Sequence, residues 1–186
     1  QAFILQSSPR GLFKRTQVLL SAGDHVLPGL GDKMPDGVIL GARGAYGLMS
    51  PDTPLNRWWF SLYEKKYNVY PVQAPYRMVQ GLLGLKLAAE KAMAANGGKK
   101  PTHEQLAAAL KGSEWESPAG QIKMSNGGGH QAVQPTAIGR TKYNAQTKRV
   151  DLVDIERFPA ECVNPPANMK SEDWIKAGFP GAKGCP

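Results

Sequence analysis

A helical period runs further in VQAPYRMVQGLLGLKLAAEKAMAANGG, Val72 to Gly98, than anywhere else in the chain, and a helix that long must be buried against something. Apolar or small residues recur at Met78, Leu82, Leu85, Ala89, Ala92 and Met93, and a second row runs through Val79, Leu83 and Leu87. The apolar surface is therefore wider than one narrow stripe, which predicts a helix packed on a sheet inside a domain. Gly81 and Gly84 each cost roughly 1 kcal/mol of helix propensity against alanine, as expected where a neighbour comes close. Pro75 suits a first turn, and Asn96, Gly97 and Gly98 supply a left-handed stop.

Around this helix, 186 residues of 41% hydrophobic and 20% charged composition suffice for one sizeable core or two small ones. A formal charge of +8 suits an anionic partner, so nucleic acid has to be weighed. The basic residues are scattered as short pairs (Lys14–Arg15, Lys65–Lys66, Lys99–Lys100, Lys148–Arg149), the pattern of a solvated surface, and no nucleic-acid partner is expected. No apolar run is long enough to span a membrane. The chain opens without an initiator Met or signal peptide, on QAFILQSSPRGLF, which reads as the latter part of a helix and predicts a piece of something longer. Cys162 and Cys185 lie in a Pro/Gly-rich tail. In an exported protein they would form a disulfide clipping that tail, worth roughly 3 kcal/mol in the chain-entropy model; the alternative is two unpaired thiols.

Taken in order, Ala2 to Gly11 predicts a helix made irregular by Pro9, Gln17–Leu20 a short buried strand, and Ser21-Ala22-Gly23-Asp24 a tight loop. A weak helix over Val26–Met34 and a strand over Gly37–Ala42 follow. Helix, strand, helix, strand is the pattern of an α/β protein with a mostly parallel sheet. Arg43–Thr53 has no period and marks a connection. Thr53 caps a helix with Pro54 in its first turn and an apolar face of Leu55, Trp58, Trp59, Leu62 and Tyr63, read as core. Thr102 with Gln105 is a capping box for a short helix that Gly112 ends. Gln121–Met124 predicts a strand and Ser125–His130 a loop. Ala137–Tyr143 and Arg149–Ile155 predict a hairpin, and Ser171 a cap for Glu172–Ala177.

Catalytic equipment is not visible. His25, His103 and His130 share no metal-set spacing with one another or with the cysteines, so neither metal nor cofactor is expected. The glycine run before His130 lacks the strand, Lys and Ser/Thr of a P-loop. Glu114 and Glu116 read as loop carboxylates and not as a catalytic acid/base pair.

The order and spacing of GLFKRTQVLLSAGD, LGDKMPDGVILGARG, YEKKYNVYPVQAPYRMVQGLLGLKLAAEKA, THEQLAAALKG and SPAGQIKMSNGGGHQ resemble the second half of type I periplasmic solute-binding proteins. These are the leucine/isoleucine/valine-binding family of ABC importers. The tail motifs RFPAECVNPP and DWIKAGFPGAKGCP resemble an aromatic-acid-binding subgroup. The resemblance implies two Rossmann-like α/β lobes with the solute enclosed between them, both incomplete in this chain. Residues 1–42 would belong to the second lobe, 43–53 to a crossover and 54–135 to the first lobe. Residues 136–186, a hairpin and disulfide-clipped tail, would return to the second. It also implies a periplasmic, non-enzymatic protein that takes a small organic acid and passes it to permease subunits, with an N-terminal half missing. A branched-chain amino acid receptor, or a sensing domain of a receptor or regulator, is the alternative.

Since ligands of open α/β sheets bind at the carboxyl ends of strands, the resemblance points to Ser21, Ala22, Gly23 and Asp24 after the first strand. It points also to Val72, Gln73 and Tyr76 before and within the long helix, and to Tyr46 with Arg43 in the connection. Family members that bind amino acids carry an acidic residue where this chain has Ala22. Its loss predicts a carboxylate without an α-ammonium group, unless Asp24 takes that place; Asp24 is otherwise expected to cap the segment after it.

Overall fold

The computed structural model describes residues 1–41, 43–182 and 185, so Ala42, expected to end a strand and a lobe segment, lies outside it, as do three tail residues. In chain order the first elements are α1 (Ala2–Ser7), α2 (Leu12–Arg15), β1 (Leu19–Leu20), α3 (Leu27–Leu30), β2 (Ile39–Gly41), α4 (Pro54–Tyr67) and α5 (Gln73–Ala95). Then come α6 (His103–Leu110), β3 (Glu114–Ser117), β4 (Gly120–Asn126), β5 (Gln131–Val133), β6 (Thr136–Asn144), β7 (Arg149–Phe158), α7 (Ala160–Val163) and α8 (Ser171–Lys176). The chain divides into two compact units, Gln1–Ala74 with Thr136–Arg157 and Pro75–Pro135 with Phe158–Pro186.

The first unit holds a four-stranded sheet in the order β1-β2-β6-β7. β1 and β2 are parallel, and β6 runs antiparallel to β2. The expected mostly parallel sheet is therefore mixed. The hairpin turn is set by Asn144, whose Oδ1 accepts the N–H groups of Gln146 and Thr147 at 3.0 and 3.2 Å, and by Lys148 at φ 56°. Leu27, Leu30, Met34, Val38, Leu40 and Val150 form the buried core with Ile4 and Tyr70. The first expected helix stops at Ser7, short of Gly11, and α2 follows where none was expected; the second is broken, Gly31 at φ 50° splitting 24–33 into short turns around Pro28.

Thr53 caps α4 as expected, accepting the Asn56 N–H at 3.1 Å. The buried side of α4 is another matter. Asn56, Trp59, Phe60 and Tyr63 turn inward, whereas Trp58 is 56% exposed and Leu62 is exposed too. Asn56 occupies the deepest position because its Nδ2 donates to Ser50 Oγ at 2.9 Å and to the Pro51 carbonyl at 3.0 Å, fastening the 43–53 connection.

In the second unit α5 accompanies an antiparallel sheet, β3-β4-β5. Tyr76, Gln80, Gly84, Ala88 and Ala92 form the buried row of α5, flanked by half-buried Val79, Leu83 and Leu87. Met78, Leu82, Leu85 and Met93, expected to be the inner stripe, are exposed. The reason is Trp115. A Cβ on Gly84 would stand 2.6 Å from its indole, and the indole Nε1 donates to the Gln80 carbonyl at 3.1 Å. Gly84 thus admits a ring where a larger residue would hold it off. Glu114 and Glu116 lie in β3 and not in a loop, and β5 is a strand the period did not predict.

Both ends of the α5–α6 region follow the sequence. Gly97 and Gly98 have positive φ with Gly98 N–H returning to the Met93 carbonyl at 2.9 Å, and Thr102 and Gln105 make the reciprocal capping box. Ser171 is the first residue of α8 and not its cap. Cys162 and Cys185 are disulfide-bonded.

Candidate functional site

Three glycines bring backbone segments together at the carboxyl ends of β1 and β2. A Cβ on Gly23 would come within 2.7 Å of the Leu40 side chain, so a larger residue in the loop after β1 would have to displace that side chain. Gly41, at φ 127°, closes β2 where a Cβ would strike the Ala137 carbonyl. Gly44, at φ 138°, sits against the Tyr46 ring, and its N–H donates to Thr136 Oγ1 at 2.9 Å.

The resulting depression belongs wholly to the first unit and is edged by Ser21, Asp24, Arg43, Tyr46 and Gln73. Its free volume is about 10 Å³, room for at most about one water. Asp24 Oδ2 accepts the N–H of Gln73 at 3.0 Å. Gln73 opens α5, so this carboxylate satisfies one of the donors a helix leaves unpaired at its start and sets negative charge at the favourable end of the dipole. Asp24 is therefore a cap, for α5 and not for the segment that follows it in sequence. Nearby, the Tyr70 hydroxyl is buried without a hydrogen-bond partner; burial first, and the Asp24 charge second, push its pKa well above the ordinary value, so it stays protonated.

Of the residues singled out from the sequence, Ser21, Asp24, Tyr46 and Gln73 meet at this depression, with Arg43. Ala22 is half-buried and Gly23 buried beside it. Val72 packs on the apolar core, and Tyr76 is fully buried within α5 in the second unit. Gly41, Gly44 and Met49 also border the depression and had not been singled out. The glycine density of GARGAYG was the available signal. A hydroxyl, a carboxylate, a guanidinium, a phenol and an amide thus edge a space that, as it stands, admits about one water. The set contains no histidine or cysteine, and among the described residues no His/Cys/Asp/Glu group could hold a metal.

Residues 2–148 match the periplasmic binding protein family, and the chain belongs to that family. Its fold is the type I periplasmic-binding α/β fold. An ABC transporter substrate-binding protein from Sphaerobacter thermophilus is similar at 22% identity and TM-score 0.65, over 85% of this chain and 41% of that one. The solute-binding protein of an ABC transporter from Rhodopseudomonas palustris BisB5, solved with 3,4-dihydroxybenzoic acid, is similar at 28% identity and TM-score 0.62, over 86% and 42%. A leucine-binding protein from Thermotoga maritima is similar at 17% identity and TM-score 0.60, over 82% and 40%. The chain thus spans about two fifths of the length of these relatives. No curated protein matches it. No helix among the described residues is long and apolar enough to cross a membrane. The family is periplasmic, and the disulfide suits that oxidising compartment.

Proposed function

We propose that the protein is the extracytoplasmic solute-binding component of an ABC importer, capturing a small organic acid that lacks an α-ammonium group and delivering it to the permease without chemical change. The observation that carries this reading is the convergence of Ser21, Arg43, Tyr46 and Gln73 at the carboxyl ends of β1 and β2, where open α/β sheets take ligands. Arg43 offers a planar fork suited to a carboxylate. Asp24 is already engaged by the start of α5, so it serves structure at one oxygen at least. The likeness to a protein solved with 3,4-dihydroxybenzoic acid supports an aromatic acid.

A second reading, a branched-chain amino acid, is favoured by the position of Asp24 on the rim, where its second carboxylate oxygen would pair a ligand ammonium. Calorimetric titration of the full-length protein separates the two. Binding of 3,4-dihydroxybenzoate but not leucine, weakened by Arg43→Gln, is the expected result; leucine binding abolished by Asp24→Asn would establish the second reading in its place.

A further inference from the structure

The first unit has a larger cavity that the reading above does not use. It lies before the strands, since Phe13 and Lys14 precede β1 and Met34 and Pro35 precede β2, so it faces the amino ends of the parallel pair and not the carboxyl ends. Its volume is about 510 Å³, within the range of small-molecule sites. Leu5, Phe13 and Met34 give it an apolar wall, and the Phe13 ring is braced edge-on by Phe3 at 6.1 Å. Three polar features interrupt that wall. The Ser8 hydroxyl is buried without a hydrogen-bond partner, a condition that costs free energy unless something fills it. Lys14 and Lys33 are exposed on the rim, and among the described residues neither forms an ion pair. Asp32 shares the rim, also without an ion pair, so the local balance is a single positive charge.

We propose that this cavity is a second binding site, for an amphipathic organic monoanion. The apolar body would lie against Leu5, Phe13 and Met34, and the carboxylate would sit between Lys14 and Lys33 and accept the Ser8 hydroxyl. Two ammonium groups attract the first carboxylate, while Asp32 repels a second, so a dianion of the same length binds less well. An apolar wall without a charge preference would instead suit a polypeptide segment, and the same measurement separates the two.

The test uses the full-length protein with 13C-methyl-labelled methionine, titrated with octanoate, suberate and octanol and read at the Met34 methyl group. Octanoate is expected to give a saturable shift and the tightest binding of the three. Neutralising both exposed lysines, Lys14→Gln with Lys33→Gln, is expected to weaken octanoate roughly threefold to tenfold, as for a pair of exposed charges, and to leave octanol unchanged. Ser8→Ala weakens octanoate again. No saturable Met34 shift with octanoate, or equal affinity for octanoate and octanol, or a double lysine variant that binds octanoate as the parent does, would each overturn the proposal. A Met34 methyl silent to octanoate but shifted by an apolar peptide would do so in favour of the segment.

Discussion

The two units reach burial by opposite means. In the first, a mixed sheet closes on large aliphatic side chains, with Leu40 fully buried at its centre. In the second, the inner row of α5 after Tyr76 is small or polar, and a tryptophan and a hydrogen-bonded glutamine fill the space. Gln80 Nε2 donates to Ser117 Oγ at 3.2 Å and to Gln134 Oε1 at 3.0 Å, and Ser117 in turn donates to the Gly120 carbonyl at 2.6 Å. One unit therefore depends on apolar volume and tolerates like-for-like exchange. The other depends on the fit of one ring and a few directed bonds.

That contrast breaks most readily at Leu40. Leu40→Ala is expected to cost about 3 kcal/mol, the ordinary result of a cavity in an aliphatic core, and hydrogen exchange should show protection lost around 39–41 and 138–140. Gly84→Ala comes next, at about 2 kcal/mol, because a methyl group pressed on the Trp115 indole overpacks a site where helix propensity alone would favour alanine. Its counterpart sharpens the point: nothing lies near a Cβ at Gly81, so Gly81→Ala should stabilise by up to roughly 1 kcal/mol in the same denaturation experiment.

The smallest effect belongs to Asp36. Its carboxyl accepts Lys142 Nζ at 2.7 Å and the Tyr143 N–H at 2.8 Å, and these bonds, the lysine's first, hold its pKa below the ordinary 3.8. A depressed folded-state value means that its stabilisation is present above pH 3.8 and is lost as pH falls through that lower value. Asp36→Asn should lower stability by less than about 1 kcal/mol at neutral pH and flatten the acid limb of a stability titration, since both partners are well exposed to solvent.

How much of this was legible in the sequence varied with the kind of signal. Local chemistry read well: the Thr53 cap, the Thr102–Gln105 box, the Gly97–Gly98 stop and the 144–148 turn depend on residues a few positions apart. Facing did not. On α4 and α5 hydrophobicity chose Trp58, Leu62, Met78 and Leu82 for the interior, yet the inward positions went to Asn56, Gln80 and Gly84. Their partners, Ser50, Ser117 and Trp115, are found only after folding. At the candidate site the loop after β1 was readable because parallel strands present ligands at their carboxyl ends. That Asp24 would spend an oxygen on Gln73 was not, because the bond joins distant residues.

Asp24 is anchored to the opening amide of the longest helix in the chain, so the turn after β1 and the root of α5 are latched to each other. A solute that drew on this carboxylate would have to share it with the Gln73 amide, and a substitution there would be felt both in the grip on the solute and in the pairing of that amide.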